Sequence, residues 1–119
     1  MPTDPTDLPP PELNLQATNE QDTVLVRCNG KLTARSSGIL HSEVKRLIPR
    51  SKRIVLDLTD VSYMDSMGLG TIVGLYASAK AAGCNLELIN FSKRVRELFG
   101  IANVLTLFEG AAEHSNRIP

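Results

Sequence analysis

The sequence predicts an α/β fold, a mixed β-sheet of about four to five strands with helices covering one face. Three observations predict it. Two short segments near the start carry strand-like apolar residues and are separated by polar turn material, as in an antiparallel hairpin. The run at residues 54–58 is apolar except for Asp57, which suits a central strand buried on both faces. Helical apolar spacing then alternates with strand-like runs, and that alternation requires crossover connections between parallel neighbours.

Residues 1–11 hold five of the seven prolines, so they read as a flexible leader, and residues 12–119 read as one domain. Leu13, Leu15 and Ala17 alternate with Asn14 and Gln16, residues 18–22 are polar turn material, and residues 23–28 form a β-branched run. Residues 36–47 then place Ile39, Leu40, Val44 and Leu47 at helical spacing. Ser36 or Ser37 is suited to cap that helix, and Pro49 stops the pattern. After the strand at 54–58 and a turn, a helix over residues 66–82 sets Leu69, Ile72, Val73 and Tyr76 on one face and ends at Gly83. Residues 86–89 read as a strand and 92–100 as a short helix with Val95, Leu98 and Phe99 inward. Residues 104–108 supply a last strand, and 111–119 suffice for one or two helical turns. Single apolar faces on the helices place them on one side of the sheet.

Thirteen basic and thirteen acidic side chains cancel over the 119 residues. No basic stripe of the kind that binds nucleic acid or an anionic membrane is visible, so partners are expected to be proteins. No apolar run approaches the roughly 20 residues needed to span a bilayer, and the start lacks the regions of a signal peptide, which reads as cytoplasmic. Cys28 and Cys84 have no metal-ligand spacing and sit among apolar residues, as buried thiols do. His41 and His114 stand apart from any ligand set. No metal site and no cofactor are expected.

The stretch from Val61 to Gly70, Val-Ser-Tyr-Met-Asp-Ser-Met-Gly-Leu-Gly, carries the chemistry. A helix that begins on Asp65 and Ser66 presents a hydroxyl at its positive end beside unpaired N–H groups. Gly68, Gly70 and Gly74 each cost about 1 kcal/mol relative to alanine inside a helix, which close approach to the sheet or to a partner would account for. A phosphate-binding Gly-x-x-x-x-Gly-Lys-Ser/Thr loop is absent, and Ser66 lies outside any Gly-x-Ser-x-Gly elbow and has no evident histidine base. The chain therefore reads as no enzyme. Ser66 fits better as a substrate, because a phosphoryl group adds roughly −1.5 to −2 charge that a helix start tolerates well and a neighbouring Asp65 or a packed interface tolerates badly.

In these residues the chain resembles the anti-sigma-factor antagonists of the STAS domain family. An apolar strand followed by Met-Asp-Ser-x-Gly-Leu-Gly is matched by residues 54–58 and 64–70, and the resemblance runs from about Leu13 to Gly110. It implies a STAS-like mixed sheet with helices on one face. It also implies that Ser66 is phosphorylated by an anti-sigma factor that is itself a serine kinase, with ATP on that partner, and that a phosphatase restores the hydroxyl. Only the unphosphorylated antagonist would then bind the anti-sigma factor and free a sigma factor. Partner contact is expected from Gly30, Lys31, Leu32 and Thr33 together with Met64, Asp65, Ser66, Met67, Gly68, Leu69 and Gly70. For Leu32 and Leu69 the spacing also allows a core role. Two departures stand out: the familiar Gly-x-Leu-Asp is here Gly30-Lys31-Leu32-Thr33, without the acidic residue close to the serine, and a frequent second serine is Met67. A STAS scaffold subunit of a stress-signalling or lipid-transport assembly, without phosphorylation, is the alternative. An open sheet face would leave room for a homodimer.

Overall fold

The structure is a computed structural model and describes residues 12–93 and 95–97. The expected leader, the strand at 104–108 and the helical turns at 111–119 lie outside those residues, as does part of the short helix at 92–100.

Strand β1, Leu13–Glu20, pairs antiparallel with β2, Thr23–Leu32, across the two-residue turn Gln21-Asp22. The hairpin is longer than the apolar alternation suggested. Polar residues 18–20 stay in the ladder because this end of the edge strand faces water and asks only for backbone pairing. Gln21 takes a left-handed φ of 57°, which the tight reversal requires.

Helix α1, Ser37–Leu47, buries Leu40, Val44 and Leu47, and its continuation tightens into a single turn at Ile48–Arg50 where Pro49 ends it. Ser36 stands at the N-cap position but does not cap. Its hydroxyl donates to the Lys31 carbonyl at 2.6 Å and accepts from the Thr33 amide at 3.0 Å, so it staples the loop instead.

Strand β3, Arg53–Met64, is twice as far-reaching as the expected run at 54–58. Residues 59–64, expected as a turn, remain paired with β2 through two bulges, one between Arg27 and Asn29 and one between Gly30 and Lys31. Each bulge inserts one residue into β3 and flips its side-chain parity, so Leu58, Val61 and Met64, three apart, all point into the core. The Ser62 hydroxyl pins the second bulge by donating to the Gly30 carbonyl at 3.3 Å.

Helix α2, Ser66–Ala81, buries Leu69, Ile72, Leu75 and Ala79 against the sheet, while Val73 and Tyr76 pack at its margin. Leu75 and Ala79 therefore join the face expected from sequence. The helix closes with a Schellman arrangement in which the Cys84 amide donates to the Ala79 carbonyl at 2.8 Å, the Gly83 amide donates to the Lys80 carbonyl at 3.1 Å, and Gly83 has φ 78°. Strand β4, Asn85–Ile89, follows. Beyond it the Ser92 hydroxyl accepts from the Val95 amide at 3.2 Å, capping a helical turn that buries Val95.

The four strands lie in the order β1-β2-β3-β4, with β2, β3 and β4 mutually parallel. Right-handed crossovers that always step in the same direction put α1 and α2 on the same face. Core residues Val24, Val26, Cys28, Ile54, Leu56, Leu86 and Leu88 meet them there. Burial first, and Asp57 second, push the Cys28 thiol up to about 12, so it packs as a neutral hydrophobe. The opposite face carries no helix among the described residues. It presents Asn14, Gln16, Arg27 and Asn29, and at its β3–β4 end the Arg53 guanidinium donates twice to Glu87, at 2.6 and 2.9 Å.

Candidate functional site

Leu32 and Met64, the last residues of β2 and β3, are register partners in the parallel ladder. The carboxyl ends of two neighbouring strands therefore emerge together, the place where open α/β sheets commonly build their sites. From one strand end leaves the loop to α1; from the other starts α2. The two sequence segments expected at the site, residues 30–33 and 64–70, are thus neighbours in space.

Asp65 joins them. It is the N-cap of α2 in extended backbone, and its Oδ1 accepts from the Gly68 amide at 2.8 Å, satisfying one of the orphan donors of the first turn. Its Oδ2 accepts from the Ala34 amide at 3.2 Å, and its own N–H donates to the Leu32 carbonyl at 3.2 Å. One carboxylate thereby holds the helix start and the β2–α1 loop together. Ser66 follows as the first helical residue and is exposed. The remaining free amides of the first turn and the helix dipole favour negative charge at this position, and the adjacent Asp65 carboxylate opposes them.

The glycines divide by role. A methyl at Gly68 would run into the Leu32 carbonyl, so this glycine lets α2 pack directly on the end of β2. At Gly70 and Gly74 a methyl would meet nothing within 4 Å. Both lie on the outer face of α2, next to Met67, a residue that is 59% exposed. Gly30 has φ 121° and its α-carbon faces the Glu12 carbonyl, where a side chain would collide.

Of the residues expected at the site, Lys31, Ser66, Met67 and Gly70 are exposed, while Gly30, Thr33 and Asp65 are half-buried. Leu32, Met64, Gly68 and Leu69 are buried and shape the site from beneath. Three contributors were not legible in the sequence: the Ala34 amide, the Ser36 staple, and Glu12, whose Oε1 accepts from the Thr33 hydroxyl at 3.0 Å. The Glu12 and Ala34 contacts join segments far apart in sequence, and the Ser36 staple, made within its own loop, takes the place of the cap that the sequence suggested. Among the described residues no group of histidine, cysteine and carboxylate side chains could hold a metal ion.

The family model described as the STAS domain matches residues 14–116, which span the sheet apart from Leu13, both helices and the site residues from Gly30 to Gly70. The chain belongs to the STAS domain family. A curated STAS relative, the anti-sigma-B factor antagonist of Bacillus subtilis, is 30% identical over 101 residues, covering 85% of this chain and 93% of the relative. Solved structures show the same fold. The anti-sigma factor antagonist SpoIIAA in its unphosphorylated form superimposes with a TM-score of 0.70 at 20% identity, over 89% of this chain and all (100%) of that one. The Bacillus cell fate determinant SpoIIAA in its phosphorylated form gives a TM-score of 0.66 at 22% identity, over 87% of this chain and 100% of that one. The four-stranded mixed sheet and its helix pair are thus a STAS fold, as the sequence predicted. No helix among the described residues is long and apolar enough to cross a membrane.

Proposed function

We propose that the protein is an anti-sigma-factor antagonist that works by binding and is switched by phosphorylation of Ser66. It docks on an anti-sigma factor through the exposed Lys31, Ser66, Met67 and Gly70 and the half-buried Thr33, with Leu32, Met64, Gly68 and Leu69 setting the shape below. The anti-sigma factor is a serine kinase that carries the ATP, a phosphatase reverses the modification, and the exchange takes place in the cytoplasm. The balanced charge supports a protein partner rather than a nucleic acid. The names of the STAS relatives support the partner's class.

The observation that carries this reading is the position of Ser66. Its hydroxyl is exposed on the first turn of α2, in the middle of a surface made by two loops and an apolar methionine. A phosphate there meets the helix dipole favourably, by about 0.3–1 kcal/mol, so the fold has little reason to melt. Within a desolvated interface the same charge costs several kcal/mol unless it meets a cation, and each 1.4 kcal/mol is tenfold in affinity.

Ser66→Ala should therefore bind the anti-sigma factor and resist phosphorylation. Ser66→Asp should fold normally and bind at least about tenfold more weakly. Calorimetric titration of both variants, with thermal melts alongside, is the test. Equal affinities, or phosphate mapped by mass spectrometry to Ser62 or Thr71 with Ser66 unmodified, would remove the switch from this turn.

A further inference from the structure

Glu12 immediately precedes β1 and lies more than fifty residues from Ser66 in sequence, yet it is tied to the switch by a run of hydrogen bonds. Its backbone carbonyl accepts from the Lys31 amide at 2.9 Å, and the glycine at position 30 is what allows the two chains to approach so closely. Its Oε1 accepts from the Thr33 hydroxyl at 3.0 Å. The Thr33 oxygen in turn accepts from the Arg35 amide at 3.2 Å. Between these residues, the Ala34 amide donates to Asp65, whose other oxygen caps α2 at Gly68.

The polarity of this run is fixed by chemistry. An ionised carboxylate only accepts, so the Thr33 hydroxyl must donate to Glu12, and its lone pairs are then turned toward the Arg35 amide. Without an acceptor at position 12 the hydroxyl is no longer held by the carboxylate, and the loop loses one of the contacts that, with the Ser36 staple and Asp65, set its conformation. The loop is otherwise exposed at Ala34 and Arg35, so no packing substitutes for that contact.

We propose that Glu12 is a positioning residue for the Ser66 switch: acting through Thr33, it orients the loop at residues 33–35 against Asp65, so that the surface read by the partner is preformed. The carboxylate that Thr33 itself lacks is delivered from the segment before the first strand. The functional weight of this contact rests on the docking role proposed above; the contact itself does not.

Amide hydrogen exchange of the partner-free chain, read residue by residue by NMR, decides the proposal. In Glu12→Leu the Ala34 and Arg35 amides should exchange about tenfold faster, with the β-sheet core unchanged. Glu12→Gln keeps an acceptor oxygen and should restore both amides to within about twofold of the wild type. Thr33→Val, which also takes away the acceptor of the Arg35 amide, should speed exchange at least as much as Glu12→Leu, and the double variant should be no worse than Thr33→Val alone, because the contact with Glu12 is already lost there. Affinity for the purified anti-sigma factor should follow the same order, falling about fivefold to tenfold in Glu12→Leu. Unchanged exchange at Ala34 and Arg35 in Glu12→Leu, no rescue by glutamine, or additive losses in the double variant would overturn it. Should Ser66→Ala and Ser66→Asp bind alike, the phosphorylation switch fails while the exchange result still stands or falls by itself.

Discussion

Three glycines of α2 look alike in sequence and differ completely in what surrounds them. Gly68 is packed against the Leu32 carbonyl, whereas Gly70 and Gly74 face open space. Gly68→Ala should cost about 1–3 kcal/mol, since a backbone carbonyl cannot move aside as a side chain would. Gly70→Ala and Gly74→Ala should each raise stability by about 1 kcal/mol, the ordinary gain from replacing glycine in an exposed helix interior. Urea melts of the three variants check these signs. If the outer face of α2 is a docking surface, the stabilised variants should also bind the partner less well, because the added methyls stand where the partner's backbone would approach. Equal destabilisation by all three would mean that α2 sits closer to its neighbours than the structure shows. The glycine excess was legible in the sequence, but its division into one packing position and two open ones was not, because the Leu32 carbonyl that decides it comes from another strand.

At the scale of elements, Asp65 does the work of two contacts, capping α2 and fastening the β2–α1 loop. Asp65→Ala should lower stability by about 1–2 kcal/mol, near the upper part of the range for a lost N-cap because the Ala34 amide loses its partner as well. Asp65→Asn keeps a capping oxygen and should cost less than half as much in the same thermal melt. Strand β3 shows why element bounds were harder to read than element order. The spacing of Leu58, Val61 and Met64 is three, which fits neither the period of a strand nor that of a helix. Pairing with β2 makes it a strand all the same, by placing two bulges where the extra residues fall. The bulges matter for the site, because they carry β3 to Met64 and so deliver Asp65 directly beside the end of β2.

For the molecule as a whole, residues 1–11 should be dispensable for folding, since a segment so poor in apolar side chains cannot offset the entropy of ordering it. Deletion of residues 1–11 should shift Tm by less than about 5 °C, equivalent to roughly 1 kcal/mol in a domain of this size. A larger drop would mean that the leader packs on the body. Glu12 must be kept in the truncated chain, because its carboxylate and carbonyl belong to the site.

The order of strands and helices as far as β4, the one-sided cover of the sheet among the described residues and the helix start at Asp65 and Ser66 were determined by the sequence alone. Each rests on local signals, apolar period and capping chemistry, that a short window of residues carries by itself. Tertiary structure alone decided the bulges of β3 and the meeting of Glu12, Thr33, Ala34 and Asp65. Those depend on which residues of distant segments fall opposite one another. That register is set by the packing of the whole sheet against two helices, and no stretch of the chain records it.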